Sequence, residues 1–238
     1  QNLNLRVSAH DIDVERFGRK LPYPISGHGK FDGLIGGTLN DPMFDGELLS
    51  PQLVVNGQTV TNARGKVRYR GHRVYMEGFH FEQNGGSYDL TAQTNTATLA
   101  VNGRMDVNNA DVNALMAMFN LKNDILNGRM GGSITLAGTL SNPRAHLTGF
   151  IGKGDVKGYA LSDIYLDLSL ADRVISIDKF TGKQAQGIFA AEGTVNLDGP
   201  IDARFSARDL QVGLFVKAAG VDADARGLVN LNAQVGGT

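Results

Sequence analysis

Residues 6–14 read RVSAHDIDV and residues 204–212 read RFSARDLQV, so a nine-residue segment returns after 198 positions. A degenerate middle copy, NADV, stands at residues 109–112. A second segment, GTLNDP at residues 37–42, returns 101 positions later as GTLSNP at residues 138–143. A fixed period of about 100 residues predicts a modular chain in which each unit stacks on its neighbours.

The repeat divides the chain into units. The opening of the second segment returns once more as GT at residues 237–238, where the sequence stops. We therefore predict a first unit at residues 1–104, a second at 105–206 and the start of a third at 207–238. Because the sequence opens and stops within repeated segments, we expect it to be a piece of a longer repeat protein.

Composition excludes several classes of protein. The 238 residues include 23 basic and 24 acidic side chains, and this balance argues against a nucleic-acid partner, which would favour a basic stripe. The chain has no cysteine, which excludes disulfide scaffolds and thiolate metal sites. No apolar run approaches the roughly 20 residues that a membrane-spanning helix needs.

Most of the chain alternates between apolar and polar residues. Residues 164–170 read IYLDLSL and residues 229–235 read VNLNAQV, a period of two that is typical of strands with one apolar face. Such strands are normally antiparallel, and turn pairs such as Asn-Gly at 56–57 connect them. The sequence thus predicts an all-β fold, and the repeat predicts that Leu39 and Leu140 lie on the same face.

Each repeat also contains one short helical segment. The clearest covers residues 111–119, where Asp111 is placed to cap the first turn and apolar residues fall on one side. Its counterpart covers residues 209–219 and ends at Gly220, a suitable C-terminal cap. A weaker helical pattern lies near Asp11.

Patterns of catalysis and cofactor binding are missing. Residues 152–158 read GKGDVKG, which matches a dinucleotide glycine motif only loosely and predicts a loop. The five histidines have no metal-ligand spacing, and no Gly-x-Ser-x-Gly nucleophile elbow is present. We therefore expect that the chain is not an enzyme and that it has no catalytic residue, no metal site and no cofactor.

The pattern leaves two arrangements of the apolar face open. In a β-sandwich or closed barrel, two apolar faces cover one another. In an open, strongly curled sheet, the apolar face lines a groove, and a surface of that kind has to be shielded or occupied. We predict that the apolar members of the alternating pairs form the wall of such a groove. These residues are Val67, Tyr69, Val74, Met76, Leu99, Val101, Ile134, Leu136, Leu166, Leu168, Ile175, Ile177, Val195 and Phe205.

Several segments together resemble a known family. Residues 209–215 form a helical segment, residues 138–140 end a strand, residues 142–143 form an Asx-Pro turn, and the chain returns through Gly149. The turn segments recur in the first unit, at residues 37–46. In order and spacing, over nearly the whole chain, these segments resemble the TamB and AsmA-like proteins, which are large envelope proteins of diderm bacteria.

The resemblance implies an elongated, strongly curled antiparallel sheet with an open, taco-like apolar groove. It implies the periplasmic part of an inner-membrane-anchored protein, with phospholipid or another acyl-chain ligand as cargo. It also implies an outer-membrane β-barrel partner, reached through parts of the parent chain outside this sequence. The function expected from it is conduction of phospholipid between the inner and outer membranes.

Two other functions remain open. The chain could be a chaperone-like module for the assembly of outer-membrane β-barrel or autotransporter proteins, acting by strand addition. It could instead be a structural or adhesive β-solenoid with a filled core. Lipid bound to the chain would favour the conduction of phospholipid. Strand addition that depends on a peptide would favour the chaperone, and a dry, filled interior would favour the solenoid.

Overall fold

A computed structural model describes residues 3–15, 24–38, 40–119, 121, 126–139, 141–218, 220–221 and 225–237. These residues form fourteen strands and two short helices. The strands are β1 Leu3–Asp13, β2 Ile25–Gly37, β3 Pro42–Val55, β4 Gln58–Arg70, β5 Arg73–Gln83, β6 Gly86–Asn95, β7 Val101–Asp111, β8 Leu126–Gly138, β9 Pro143–Val156, β10 Tyr159–Ala171, β11 Val174–Gln184, β12 Gly187–Asn196, β13 Ile201–Gln211 and β14 Leu228–Gly237. The helices are α1 Val112–Met118 and α2 Val212–Ala218.

All fourteen strands belong to one antiparallel sheet. Each strand pairs with its neighbours in sequence, so the order in the sheet runs from β1 to β14 without a crossover. Within the described ranges β1 pairs with β2 and β14 pairs with β13, and the sheet is not closed. The prediction of an all-β antiparallel fold is confirmed, and the closed barrel is excluded.

Element bounds repeat along the sheet. Each of the strands β2 to β6 begins 101 residues before its equivalent among β8 to β12. Strand β7 begins 100 residues before β13, and helix α1 begins 100 residues before α2. The predicted unit boundaries after residues 104 and 206 fall within β7 and β13, so the repeating element is a set of strands in one continuous sheet. The equivalent residues Leu39 and Leu140 lie outside the described residues.

The first predicted helix forms almost as expected. Helix α1 begins one residue after Asp111, whose carboxylate accepts a hydrogen bond of 2.9 Å from the backbone N–H of Ala114. This contact satisfies one of the N–H groups that a helix start leaves unpaired. Val112, Ala114, Leu115 and Met118 are buried, as the apolar pattern predicts.

The second predicted helix was placed too early in the sequence. Residues 209–211 belong to β13, because Leu210 pairs with Val229 and Gln211 with Leu228. Helix α2 follows and ends near Gly220, whose φ is 75° and whose N–H donates to the Lys217 carbonyl. The weaker helical pattern was predicted near Asp11, and Asp11 itself lies in β1. Residues 16–23, which follow it, are outside the described part of the chain.

The predicted loop at residues 152–158 was also wrong for most of its length. Residues 152–156 complete β9, and residues 157–158 form the turn into β10. Gly154 pairs with Leu161, so the glycines here belong to a hairpin rather than to a phosphate-binding loop. Close packing requires the small residue, because a Cβ on Gly154 would lie 2.6 Å from the Asn127 carbonyl oxygen.

A single hydrophobic cluster fills one side of the sheet, on the part nearest the helices. Its largest fully buried side chains are Tyr88, Ile151, Ile164 and Leu210. Helix α1 also contacts the β3–β4 turn, where the Asn56 side-chain amide donates to the Ala117 carbonyl at 3.2 Å. Helix α1, which connects β7 to β8, therefore also contacts the hairpin of β3 and β4, and β4 lies three strands from β7 in the sheet.

Candidate functional site: the apolar face of the sheet

Directly paired residues on neighbouring strands project from the same face of a sheet. The register of the strands therefore shows which side chains share a surface. One row of direct partners crosses all fourteen strands and contains only apolar residues and glycine. It runs through Val7, Gly33, Gly46, Val67, Met76, Ala92, Gly103, Leu136, Ala145, Leu170, Ile175, Val195, Ile201 and Gly237.

Two parallel rows on the same face have the same character. The first runs from Phe79 through Leu90, Met105, Ile134, Leu147, Leu168, Ile177, Gly193 and Ala203 to Val235. The second runs from Phe81 through Tyr88, Val107, Gly132, Gly149, Leu166, Phe180, Ala191 and Phe205 to Ala233. We call the surface formed by these three rows the apolar face.

The opposite face is mostly polar, although it also carries exposed apolar side chains, namely Leu34, Leu49, Phe150, Tyr165 and Ile188. The row between those of Leu168 and Leu170 reads Thr135, His146, Ser169, Ser176, Thr194 and Asp202. Ion pairs are frequent on this face, including Arg104 with Asp106 at 2.6 Å, and Arg68 with Glu77. Such exposed pairs contribute little to stability, because water and salt screen their attraction.

Burial on the apolar face is graded along the strands. In β10, Ile164 is 0% exposed, whereas Leu166, Leu168 and Leu170 are partly exposed. Toward the two ends of the sheet this side is more open: Leu5, two residues before Val7 in β1, is 52% exposed, and Val235 is 55% exposed. The helices cover the part near the core, and the remaining apolar surface reaches solvent.

The structure places thirteen of the fourteen predicted wall residues in strands. Val67 pairs with Met76 and Tyr69 with Val74, so these four share one face. Val101 pairs with Thr94, where a polar residue interrupts the apolar character. The eight from Ile134 to Phe205 belong to the three rows or join them through direct partners.

Leu99 is the exception. It lies in the turn between β6 and β7, its φ is 58°, and it is 40% exposed. The alternation argument that selected it therefore does not apply, because alternation assigns faces only within a strand.

The list of predicted wall residues also omitted members of the apolar face. Leu147 pairs with both Ile134 and Leu168, and Leu170 pairs with Ile175, so both lie among predicted residues. The signal was present: Ala145, Leu147, Gly149 and Ile151 alternate with polar or exposed residues, but the glycine weakens the pattern.

A concavity of about 700 Å³ lies over strands β5 to β9. Tyr75, Glu77, Arg104, Arg144 and His146 contribute to its lining. Hydrogen bonding to Asp106 raises the pKa of Arg104 further above its ordinary value, so this guanidinium is a fixed cation. The lining of the concavity also includes Met76, Ala92, Gly103, Leu136 and Ala145, which are consecutive members of the first apolar row.

No helix in the described part of the chain has the length and apolarity needed to cross a bilayer, since α1 and α2 have seven residues each. Comparison with models of protein families, with curated proteins and with solved structures finds no match to this chain.

Proposed function

We propose that the apolar face carries the acyl chains of phospholipid, and that this chain is a segment of a periplasm-spanning protein that conducts phospholipid between the inner and outer membranes. The observation that supports the proposal is the continuity of the apolar rows. The row through Met76, Leu136 and Ile175 crosses the whole sheet without a polar side chain, and much of it is only partly buried.

A lipid needs such a surface because water is a steep barrier to its chains. Exposing one methylene to water costs about 0.8 kcal/mol, so two chains of about 16 carbons would cost about 25 kcal/mol. A barrier of that height corresponds to roughly one escape in several days. A continuous apolar surface lowers the barrier without any catalytic residue.

The direction of the rows suits transport. They run across the strands, which is also the direction in which the repeat adds strands to the sheet. Neighbouring strands lie about 4.8 Å apart, so fourteen strands give a path of roughly 60 Å along the sheet. On this proposal the sheet is curled around the apolar face as an elongated, open groove, and additional repeats lengthen it.

The resemblance to the TamB and AsmA-like proteins supplies the cellular part of the proposal. On this proposal the chain lies in the periplasm of a diderm bacterium, in a protein anchored at the inner membrane. The outer-membrane β-barrel partner then contacts parts of the parent protein outside this sequence.

A chaperone-like role in β-barrel or autotransporter assembly is the alternative. The observation in its favour is that the sheet is open, with β1 and β14 each paired on one side only within the described residues. A client strand could extend the sheet there by backbone hydrogen bonds.

Photo-crosslinking in cells tests lipid contact. A photoreactive residue at Leu168 or Ile177, which are direct partners on the apolar face, should capture phospholipid. The same residue at Asp167 or Ser176, one position earlier in each strand, projects from the polar face and should not. Protein adducts at Leu168 without lipid would support a filled core. Equal lipid capture at Leu168 and Asp167 would indicate general membrane adsorption and would overturn the proposal.

A further inference from the structure

We propose that His146, Asp167 and Asp178 form a binding site for one divalent transition-metal ion, of which Zn²⁺ is the best representative, on the polar face. The three side chains come from β9, β10 and β11, three neighbouring strands of the sheet. One ligand atom from each lies within 4.8 Å of the other two. Three protein ligands that leave further positions to water are the usual composition of an open zinc site.

The strand register explains two of the ligands. His146 pairs directly with Ser169, and Asp167 is two residues before Ser169 on the same face. This diagonal relationship brings the His146 Nε2 atom to 2.6 Å from the Asp167 carboxylate. Because both residues lie within paired strands, the backbone holds them in place before any ion binds.

The third ligand lies at a β-bulge. Leu168 pairs with Ile177 and Asp167 with Lys179, so Asp178 is the extra residue between two consecutive pairs. Alternation along β11 places Asp178 on the polar face, because it follows Ile177 of the apolar face by one residue, and a carboxylate oxygen of Asp178 lies within 4.8 Å of the other two ligand atoms. The Ser169 hydroxyl donates to one Asp178 oxygen at 3.1 Å, which orients the carboxylate in the way that outer partners orient metal ligands.

The chemistry of this set suits a dication. Two carboxylates and one neutral imidazole offer two oxygens and one nitrogen and together balance a double positive charge. Ligands at about 2.0–2.2 Å from zinc are roughly 3.3 Å from one another in a tetrahedron, so the His146–Asp167 contact would open by less than about 1 Å. Lys179 pairs directly with Asp167, and its ammonium lies 5.9 Å from the centre of the Tyr165 ring, within the range of a cation–π contact.

The chain contains its own control. His80 also has two carboxylate neighbours, but Asp89 lies 2.8 Å from Nδ1 and Glu82 lies 3.8 Å from Nε2. The two acids are on opposite sides of the imidazole ring, so they do not converge on one ion. His80 therefore has the composition of the proposed site without its geometry.

Isothermal titration of the 238-residue chain with ZnCl₂ tests the site. We expect one zinc per chain, and we expect His146→Ala and Asp178→Asn each to weaken binding at least tenfold. His80→Ala should bind zinc as the unmodified chain does. Equal weakening by His80→Ala and His146→Ala would mean that zinc binds to exposed histidines in general, and would overturn the proposal.

A second measurement reports the ligands themselves. Titration with Co²⁺ should produce a visible d–d absorption band from the nitrogen and oxygen ligands, and Asp178→Asn should lose it. Circular dichroism should be the same for all variants, because the three side chains are on the surface. Absence of stoichiometric binding of both ions to the unmodified, folded chain would also overturn the proposal, whatever the result for lipid.

Discussion

Asn62 and Asp163 are 101 residues apart and have the same left-handed backbone conformation, with φ of 55° and 51°. Each lies at a register shift of its strand, Asn62 in β4 and Asp163 in β10. Asparagine and aspartate tolerate this conformation better than other residues with a side chain, because they form local hydrogen bonds. The repeat therefore extends to individual backbone angles.

Asn62→Val should destabilise the protein by about 1–3 kcal/mol, because a β-branched residue is strained at positive φ. Asn62→Gly removes the same side-chain contact, a hydrogen bond of 2.9 Å to Glu82, without that strain. Urea denaturation of both variants separates the two effects. Equal losses would show that the hydrogen bond, and not the backbone angle, selects asparagine.

A charge should have different effects at two positions of β10. Ile164→Arg places a guanidinium at a site with no exposure and should cost several kcal/mol, enough to unfold much of the protein. Leu168 lies on the same face, but its side chain is already partly exposed. The arginine of Leu168→Arg can therefore reach water with its charge, and the free energy of unfolding should fall by less than about 2 kcal/mol. Thermal unfolding followed by circular dichroism compares them. Complete unfolding of Leu168→Arg would mean that this part of the face is a closed core.

Stability at alkaline pH should depend on Tyr88. Burial, with a smaller contribution from the Asp111 carboxylate, raises the pKa of Tyr88 to about 12. The unfolded chain ionises this tyrosine near pH 10, so its contribution is complete below pH 10 and is lost as the pH rises toward 12. The loss should amount to about 2–3 kcal/mol.

Urea denaturation at about pH 9 and pH 11.5 measures this loss, with Tyr88→Phe as the control. The variant keeps the ring that stacks 4.8 Å from Phe81 but has no group to ionise. Its stability should fall less between the two pH values, because only the other tyrosines and the lysines still titrate. An identical fall in both proteins would rule out the contribution of Tyr88.

The N-terminal cap of α1 should contribute about 1 kcal/mol to the free energy of unfolding. Asp111→Ala removes the carboxylate that accepts from the Ala114 N–H, and Asp111→Asn keeps an acceptor oxygen at the same place. Chemical denaturation should give a loss of about 0.5–2 kcal/mol for alanine and clearly less for asparagine. A greater loss for asparagine than for alanine would contradict the capping role.

Local pattern in the sequence determined much of this fold. The alternation at residues 164–170 identified β10 and its apolar face, and the helical pattern after Asp111 identified α1 and its cap. These features were predictable because each depends on residues close together in the chain. The repeated segments likewise predicted a periodic sheet, since equivalent sequences form equivalent strands.

The tertiary structure decided what depends on pairing between strands. Alternation is the same for a closed barrel and an open sheet, and only the pairing of β1 and β14 distinguishes them. Leu99 was assigned to the wall although it lies in the turn between β6 and β7, and residues 209–211 were assigned to a helix although they belong to β13. The convergence of His146, Asp167 and Asp178 was equally hidden, because it depends on the pairing of β9, β10 and β11. The register of a pair, including a bulge such as that at Asp178, is set by the contacts of two strands together rather than by the sequence of either one.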